Sequence, residues 1–199
     1  SLKQIININY DEYKISKINI ITGHINPQIV ATIKNLTKSF KSLNIICSAP
    51  GKKLISELWL LKKPGDVESL ELEVPNITVI KKEFLLTYKD NIFHLIPAPT
   101  ARWPGGLMIY EENSEILLSE KLFSCHIACD DWSENNRLST ETDRKHFYNC
   151  LMAPMSSQIT SLSEKVFEYE IKCIAPLHGP AIEYSLKSFI NDYIRWGES

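Results

Sequence analysis

The sequence predicts an α/β fold in which helices pack on sheets as a sandwich. Continuous apolar runs at residues 17–22, 43–48 and 172–175 are typical of buried central strands. Amphipathic stretches with helical spacing follow the first two runs. Between residues 84 and 119 the apolar period changes to two, which predicts antiparallel hairpins in a second sheet. Strands, helices and hairpins in this order favour an α/β sandwich.

Local signals predict the helices. Asn26 supplies a cap and Pro27 a first-turn proline for the first helix. The apolar positions of this helix recur at helical spacing and are Ile29, Ile33, Leu36 and Phe40. A second, short helix is expected after Pro50 and Gly51. Three more are predicted in the last third of the chain, over residues 140–151, 155–169 and 183–196.

Turn signals predict two hairpins. One joins residues 84–88 to 92–96 through Lys89-Asp90-Asn91, and the other joins 107–110 to 115–119 through Asn113-Ser114. Without a repeat or a long internal linker, residues 1–199 are expected to form a single domain. Because little sequence precedes the first apolar run, we expect the N-terminal strands of the sheet to be absent from this chain.

Composition argues against several classes of protein. The 22 basic and 24 acidic residues give a net charge of −2, which disfavours nucleic-acid binding. No apolar run reaches the roughly 18 residues of a membrane span, and the N-terminus carries no export signal. Five cysteines form an odd set, which favours reduced thiols and a cytoplasmic location.

Two of the five histidines occupy positions that favour chemistry. His24 and His178 each follow the carboxyl end of a predicted strand, in segments rich in Pro and Gly. In open α/β sheets that end is where sites form. Two histidines resemble metal ligands, although two ligands alone do not make a metal site.

Five segments, in order along nearly the whole chain, resemble flavodiiron proteins of the cyanobacterial and chloroplast branch. The segment GHINPQI (23–29) is similar to the HxExDH metal loop of the metallo-β-lactamase superfamily, with most ligands changed. The other four resemble stretches of flavodiiron proteins and are PTARWPGGLMIY (99–110), LLSEKLF (117–123), YNCLMAP (148–154) and APLHGP (175–180). Each motif is weak alone, and the five in order are specific.

The resemblance implies a metallo-β-lactamase-like αββα sandwich that continues, in the family, into an FMN-binding flavodoxin domain and a flavin reductase module. Such proteins reduce oxygen, or nitric oxide in some members, at a diiron centre. A head-to-tail dimer joins the flavin of one subunit to the iron of the other. The resemblance therefore implies a parent oxidoreductase in electron transport, with homo- or heterodimeric partners of the same family.

Seven positions correspond to the family's iron ligands, and only two keep a ligand type. His24 and His178 match two histidines. The other five positions hold replacements, namely Asn26, Gln28, Ile29, Arg102 and Lys121. Arginine stays protonated, and two fixed cations in a small cleft repel a metal by several kcal/mol at an effective dielectric near 20. We therefore expect an iron-free, vestigial pocket into which Arg102 and Lys121 point.

Three further residues carry open alternatives. Trp103, next to the arginine, is either flavin-proximal, as the resemblance implies, or a core aromatic. Cys125 and Cys129 are candidate redox thiols, or metal ligands with His126, or ordinary reduced thiols.

The leading hypothesis is the core of a flavodiiron-type oxidoreductase, inactive as this chain alone and without FMN of its own. One alternative is a non-catalytic subunit that assembles with an iron-containing relative. Another is a divergent hydrolase of the metallo-β-lactamase superfamily, which the loss of the acidic metal loop disfavours.

Overall fold

Packing divides the chain into two units, residues 1–80 and 81–199. The computed structural model describes residues 18–40, 42–60, 73–128, 133–134 and 140–198. No helix in these ranges is long and apolar enough to cross a membrane.

The first unit is a parallel sheet with two helices. Its elements in chain order are β1 (Ile18–Ile21), α1 (Pro27–Ser39), β2 (Leu43–Ser48), α2 (Ala49–Trp59) and β3 (Asn76–Ile80). The three strands are parallel in the order β1-β2-β3. Every residue of β2 is buried, as its continuous apolar run predicts.

Polar caps determine where the two helices begin. Asn26 caps α1 and Pro27 opens it, as predicted. Ser48 caps α2 by accepting the Gly51 N–H at 3.2 Å, so this helix begins slightly before the Pro50-Gly51 signal. The buried stripe of α1 packs in the core of this unit with Ile45, Ile55 and Trp59.

The prediction that residues 17–22 form a buried central strand was wrong for β1. Among the described strands β1 lies at the edge of its sheet, and its residues are half-buried or exposed. An apolar run shows that a strand forms, but its neighbours decide how deeply it is buried.

The second unit contains a seven-stranded sheet. Its strands are β4 (Phe84–Tyr88), β5 (Asn91–Pro97), β6 (Leu107–Glu111), β7 (Ile116–Glu120), β8 (Ser133–Glu134), β9 (Cys173–Pro176) and β10 (Ala181–Ile182). Their order is β4-β5-β6-β7-β9-β10-β8. The pairs β4–β5, β5–β6 and β6–β7 are antiparallel, which confirms both hairpins. Strand β9 is central, as predicted, and pairs in parallel with β7.

The helices of the second unit are α3 (Glu141–Phe147), α4 (Ser156–Phe167) and α5 (Leu186–Glu198). A π-helical turn (Tyr148–Met152) and a short 3₁₀ turn (Ala153–Met155) connect α3 to α4. The prediction of regular helix to residue 151 missed this change. The core of the unit combines strand residues such as Met108 and Ile174 with helix residues such as Ile159 and Tyr193.

Candidate functional site

The seven predicted positions are divided between the two units. Four lie in the first unit and are His24, Asn26, Gln28 and Ile29. Three lie in the second unit and are Arg102, Lys121 and His178.

In the first unit, the loop after β1 is organised around the start of α1. Asn26 Oδ1 accepts the backbone N–H of Ile29 at 2.8 Å, which satisfies one of the unpaired donors of the helix N-terminus. His24 is half-buried, and its carbonyl oxygen lies 3.4 Å from the Thr22 hydroxyl that donates to it. The side-chain oxygen of Asn26 therefore serves as a helix cap.

The next two positions belong to α1 itself. Gln28 is exposed, and its carbonyl oxygen accepts from the Thr32 hydroxyl at 3.0 Å. Ile29 is half-buried and packs against the apolar core of the first unit. At the two positions that the resemblance aligns with an acid and a histidine, this helix has an exposed amide and an apolar side chain in contact with the core.

In the second unit, strand pairing brings two sequence-distant positions together. The parallel register aligns Leu118 with Ala175 and Glu120 with Pro176. Lys121 and His178 therefore both lie just beyond the carboxyl ends of adjacent strands, where α/β proteins build their sites. Backbone bonds extend the pairing, with the Leu177 N–H donating to Glu120 O at 2.7 Å.

Lys121 and His178 are in direct contact. Lys121 Nζ lies 2.8 Å from His178 Nε2. Lys121 is buried, with 5% of its surface exposed, whereas the histidine is exposed. An ammonium has three donors and no acceptor, so Nε2 accepts, and the neutral ring carries its proton on Nδ1. This bond occupies the Nε2 lone pair that a metal would need.

Trp103 forms one wall around this lysine. Its ring centroid lies 4.8 Å from Lys121 Nζ, within the range of a cation–π interaction. The loop that carries it is closed by reciprocal backbone bonds of 3.1 Å between Thr100 and Trp103. Trp103 is also partly buried against the core of the second unit, so its packing agrees with the core interpretation.

The charges of this cluster partly compensate one another. Burial lowers the pKa of Lys121, and the Glu120 carboxylate opposes that effect. Burial raises the pKa of Glu120, which is moderated by the Lys121 backbone N–H at 2.8 Å from Oε2 and by the ammonium. Burial also lowers the pKa of His178, and the Lys121 charge adds to that effect, followed by that of His126. The arrangement favours a neutral imidazole beside a cation.

The remaining predicted residues are placed differently. Arg102 lies in the loop between β5 and β6 and is exposed, so its place in the predicted pocket stays a prediction. Cys125 is fully buried, and its N–H donates to His178 O at 3.1 Å. Cys129 lies outside the described residues, so the redox pair stays a prediction.

Sequence reasoning missed two residues that shape the site. Glu120 lies within the LLSEKLF segment, where only the lysine was weighed. Arg144 is 1% exposed. Its Nε donates to Thr140 Oγ1 and its Nη2 to Pro180 O, each at 3.2 Å, while Nη1 donates to Phe123 O. It thereby joins the two loops that carry Lys121 and His178, a role for which a single arginine in an amphipathic helix gives no signal.

These side chains do not fit a diiron centre. An iron pair needs several anionic and imidazole donors on shared ions. Three of the positions predicted as ligands hold a helix cap, an apolar side chain and a buried ammonium. Within the ranges that the structure describes, no three His, Cys, Asp or Glu side chains are grouped so as to hold a metal ion.

Comparison with known proteins agrees with the fold. A family model described as ODP family beta lactamase matches residues 2–179. Diflavin flavoprotein A 5 of Nostoc sp. is 28% identical over all of this chain and 32% of its own length. Diflavin flavoprotein A 4 of Synechocystis sp. is 30% identical over 89% of this chain and 28% of its own length. The chain thus spans about a third of these relatives.

A solved structure gives the same result. The metal-soaked Flv1 flavodiiron core from Synechocystis sp. superposes with a TM-score of 0.79 at 29% identity. The match covers 90% of this chain and 43% of that one. The α/β, metallo-β-lactamase-like fold class and the flavodiiron resemblance are thereby confirmed. The chain belongs to the ODP family of β-lactamase-like proteins, with cyanobacterial flavodiiron proteins among its relatives.

Proposed function

We propose that this chain is the metallo-β-lactamase-like core of a flavodiiron-type oxidoreductase in oxygen-reducing electron transfer, and that its metal pocket is vestigial and free of iron. The observation that carries the proposal is the Lys121 ammonium 2.8 Å from His178 Nε2. The Lys121 ammonium donates to the ring nitrogen that a metal would bind. Its positive charge therefore takes the place of the metal's charge.

The proposal includes a parent protein. Its FMN is held mainly by a flavodoxin-like domain, a flavin reductase domain delivers electrons, and a related flavodiiron subunit completes a homo- or heterodimer in the cytoplasm. Residues 1–199 contribute a single domain to it and have no turnover alone. The relatives' names support a flavin-containing parent.

A non-catalytic subunit is the second candidate, because the same lysine favours it. If the pocket holds no iron, the parent's oxygen chemistry is carried out by a partner that keeps its ligands. The two candidates separate when the full-length protein is mixed with an iron-containing relative, since only the second requires that relative for oxygen consumption.

Iron analysis tests the vestigial pocket. The purified chain is incubated with ferrous iron without oxygen, desalted and analysed for metal. We expect far less than one iron per chain. About two irons per chain, lost when His24 and His178 are changed to Ala, would overturn the proposal.

A restored variant tests the assignment of the positions. It combines Asn26→Glu, Gln28→Asp, Ile29→His, Arg102→His and Lys121→Asp, which supplies three carboxylates and two imidazoles beside His24 and His178. We expect ferrous binding by calorimetry in this variant and little in the wild type. The matched control keeps four changes and carries Lys121→Met. Equal, negligible binding by the folded restored variant would show that the seven positions do not converge.

A further inference from the structure

An exposed thiol lies in the second unit, apart from the cluster described above. Of the four cysteines that the structure describes, Cys150 is exposed, whereas Cys47, Cys125 and Cys173 are buried. Burial raises the pKa of Cys47 to about 11 and that of Cys173 above its usual value. The thiolate is the reactive form of a cysteine. Among these four, Cys150 is therefore the thiol that a solute can reach.

An imidazole lies beside this thiol. His146 Nε2 is 3.6 Å from Cys150 Sγ, which is a hydrogen-bond distance because sulfur is larger than oxygen. Local structure makes the pair, since His146 lies in the last turn of α3 and Cys150 follows four positions later in the π-helical turn. A neutral imidazole nitrogen can accept the thiol proton, which leaves a thiolate beside an imidazolium. The pair therefore has the arrangement of an activated nucleophile and its base.

The same histidine lines an open groove between α3 and α5. The groove has a volume of about 510 Å³, within the roughly 300–1,000 Å³ of small-molecule sites. Its other lining residues are Glu141, Thr142, Lys145, Asn149 and Trp196. Lys145 Nζ lies 4.8 Å from the centroid of the Trp196 ring, within the range of a cation–π interaction. The groove thus places a cation, a carboxylate and an amide next to the thiol and its base.

We propose that Cys150 is a modification site, at which a small peptidic disulfide of the glutathione class forms a mixed disulfide with the chain. The His146 imidazole accepts the thiol proton, and the Cys150 thiolate attacks one sulfur of the small disulfide. A new S–S bond forms as the old one breaks, and the departing thiolate takes up the proton from the imidazolium. One disulfide is consumed and one thiol is released, so the exchange needs no other oxidant.

The charges of the groove favour a peptidic disulfide over a neutral one. Lys145 offers an ammonium to a carboxylate of the ligand, and Glu141, on the same helix, offers a carboxylate to its amino group. A disulfide of the glutathione class carries both carboxylate and ammonium groups. The site goes beyond the proposed function, since it uses neither the Lys121–His178 cluster nor a flavin domain.

Labelling of the whole chain locates the reactive thiol. The reduced 199-residue chain is incubated with oxidised glutathione near neutral pH, quenched with acid and digested, and mass spectrometry follows the mixed disulfide at each cysteine. We expect Cys150 to be modified at least roughly tenfold faster than the three buried thiols. A rate at Cys150 no higher than that at Cys47, Cys125 or Cys173 would overturn the proposal.

The pH dependence of the labelling rate tests the role of His146. Near neutral pH we expect His146→Gln to slow the modification of Cys150 roughly tenfold, because the variant has no base beside the thiol. The two rates should converge well above the roughly 8.5 at which an isolated thiol ionises, because the thiolate then forms without a base. Equal rates near neutral pH, or the same slowing at every pH, would show that His146 does not activate the thiol.

Two disulfide probes test the groove. Oxidised glutathione is charged, whereas hydroxyethyl disulfide is neutral. We expect Lys145→Gln to slow the reaction of Cys150 with oxidised glutathione about threefold more than its reaction with the neutral probe. Lys187→Gln is the matched control, because Lys187 is an exposed lysine on α5 whose ammonium lies 5.8 Å from the ring centroid of Phe167, and it should change neither rate. Equal slowing of both probes by Lys145→Gln, or none, in the folded variant would refute binding in the groove.

Discussion

The loop of residues 24–29 in the first unit and the Lys121–His178 cluster in the second hold residues predicted to stand at flavodiiron ligand positions, and their side chains have different roles. In the loop, Asn26 caps a helix and Ile29 packs in a core, which are roles that any α/β protein needs. In the cluster, a buried cation and an imidazole remain paired, with Trp103 against the cation. The two segments thus differ in what their side chains do: in the loop they support a helix start and a core, and in the cluster they form a polar contact around a buried charge.

The difference predicts where substitutions are costly. Around the cluster, buried polar groups have specific hydrogen-bond partners, so removal of a partner leaves a buried group unsatisfied. In the loop, the contributions to stability are one helix cap and one apolar contact. Each is smaller, and another side chain can supply it.

Replacement of Arg144 should have the largest effect. Arg144→Met leaves the carbonyl oxygens of Phe123 and Pro180 without this donor, and we expect the free energy of unfolding to fall by about 3–5 kcal/mol. Chemical denaturation followed by circular dichroism measures it. Arg144→Lys should recover part of the loss, because it keeps the charge without the planar fork.

His146→Gln is the control on the same helix, since His146 is exposed. If Arg144→Met were no more destabilising than this control, Arg144 would not hold the two loops together.

Gly179→Ala should have the next largest effect. Gly179 has φ of +85°, and a Cβ there would collide with Cys125 Sγ. We expect a loss of about 2–3 kcal/mol from strain and overlap together. Thermal unfolding measures the change.

A double variant separates the backbone strain from the overlap with Cys125 Sγ. Cys125→Ala removes the sulfur, so Gly179→Ala should cost less in that background, with the backbone strain remaining. An undiminished cost would assign the whole effect to the backbone.

Much of the fold could be predicted from the sequence because its signals are local. Strand β2 was predicted at its observed bounds, and Asn26 and Pro27 fixed the start of α1. The two-residue strand β10 and the π-helical turn were missed, since neither has a periodic pattern. The edge position of β1 also depends on pairing that an apolar run does not reveal.

The candidate site was predictable only in part. His178 and Lys121 are 57 positions apart, and the parallel register of β7 and β9 brings them together. Composition and periodicity contain no information on that register, so the pairing was inferred from the family resemblance. Arg102 lies in the loop between β5 and β6 and is exposed, and its place beside them stays a prediction.

In the first unit, ligand restoration should cost stability. Ile29→His replaces a half-buried apolar side chain with a polar one, and we expect a loss of about 1–2 kcal/mol. Asn26→Glu removes a good cap and should cost about 1 kcal/mol, whereas Asn26→Asp keeps the cap and should cost little. Urea denaturation measures all three. Equal stability of the Glu and Asp variants would show that the cap contributes nothing.

The smallest expected effect concerns a second polar cluster in the second unit, centred on His94. It tests whether paired charges stabilise the fold at a place other than the Lys121 site. His94 Nδ1 lies 2.8 Å from Glu83 and Nε2 lies 2.6 Å from Glu112. A neutral imidazole has one donor and one acceptor, so two carboxylates favour the doubly protonated ring. Burial acts to lower the pKa of His94, but hydrogen bonds and charges of Glu112 and Glu83 outweigh it and raise the pKa.

A raised pKa in the folded chain has a defined sign. The stabilisation is fully present below the unfolded pKa of about 6.5 and is lost as pH rises through the higher folded value. The other groups facing His94 are the rings of Tyr110 and Tyr169, while Lys165 binds Glu83 at 2.5 Å. Both tyrosines stay neutral across this window, because burial and nearby carboxylates raise their pKa values. We expect unfolding free energies to decline by less than about 1 kcal/mol between pH 6 and 8.5, because the carboxylates are partly solvated. His94→Gln should flatten that decline, and an unchanged pH profile in this variant would assign the decline to other groups.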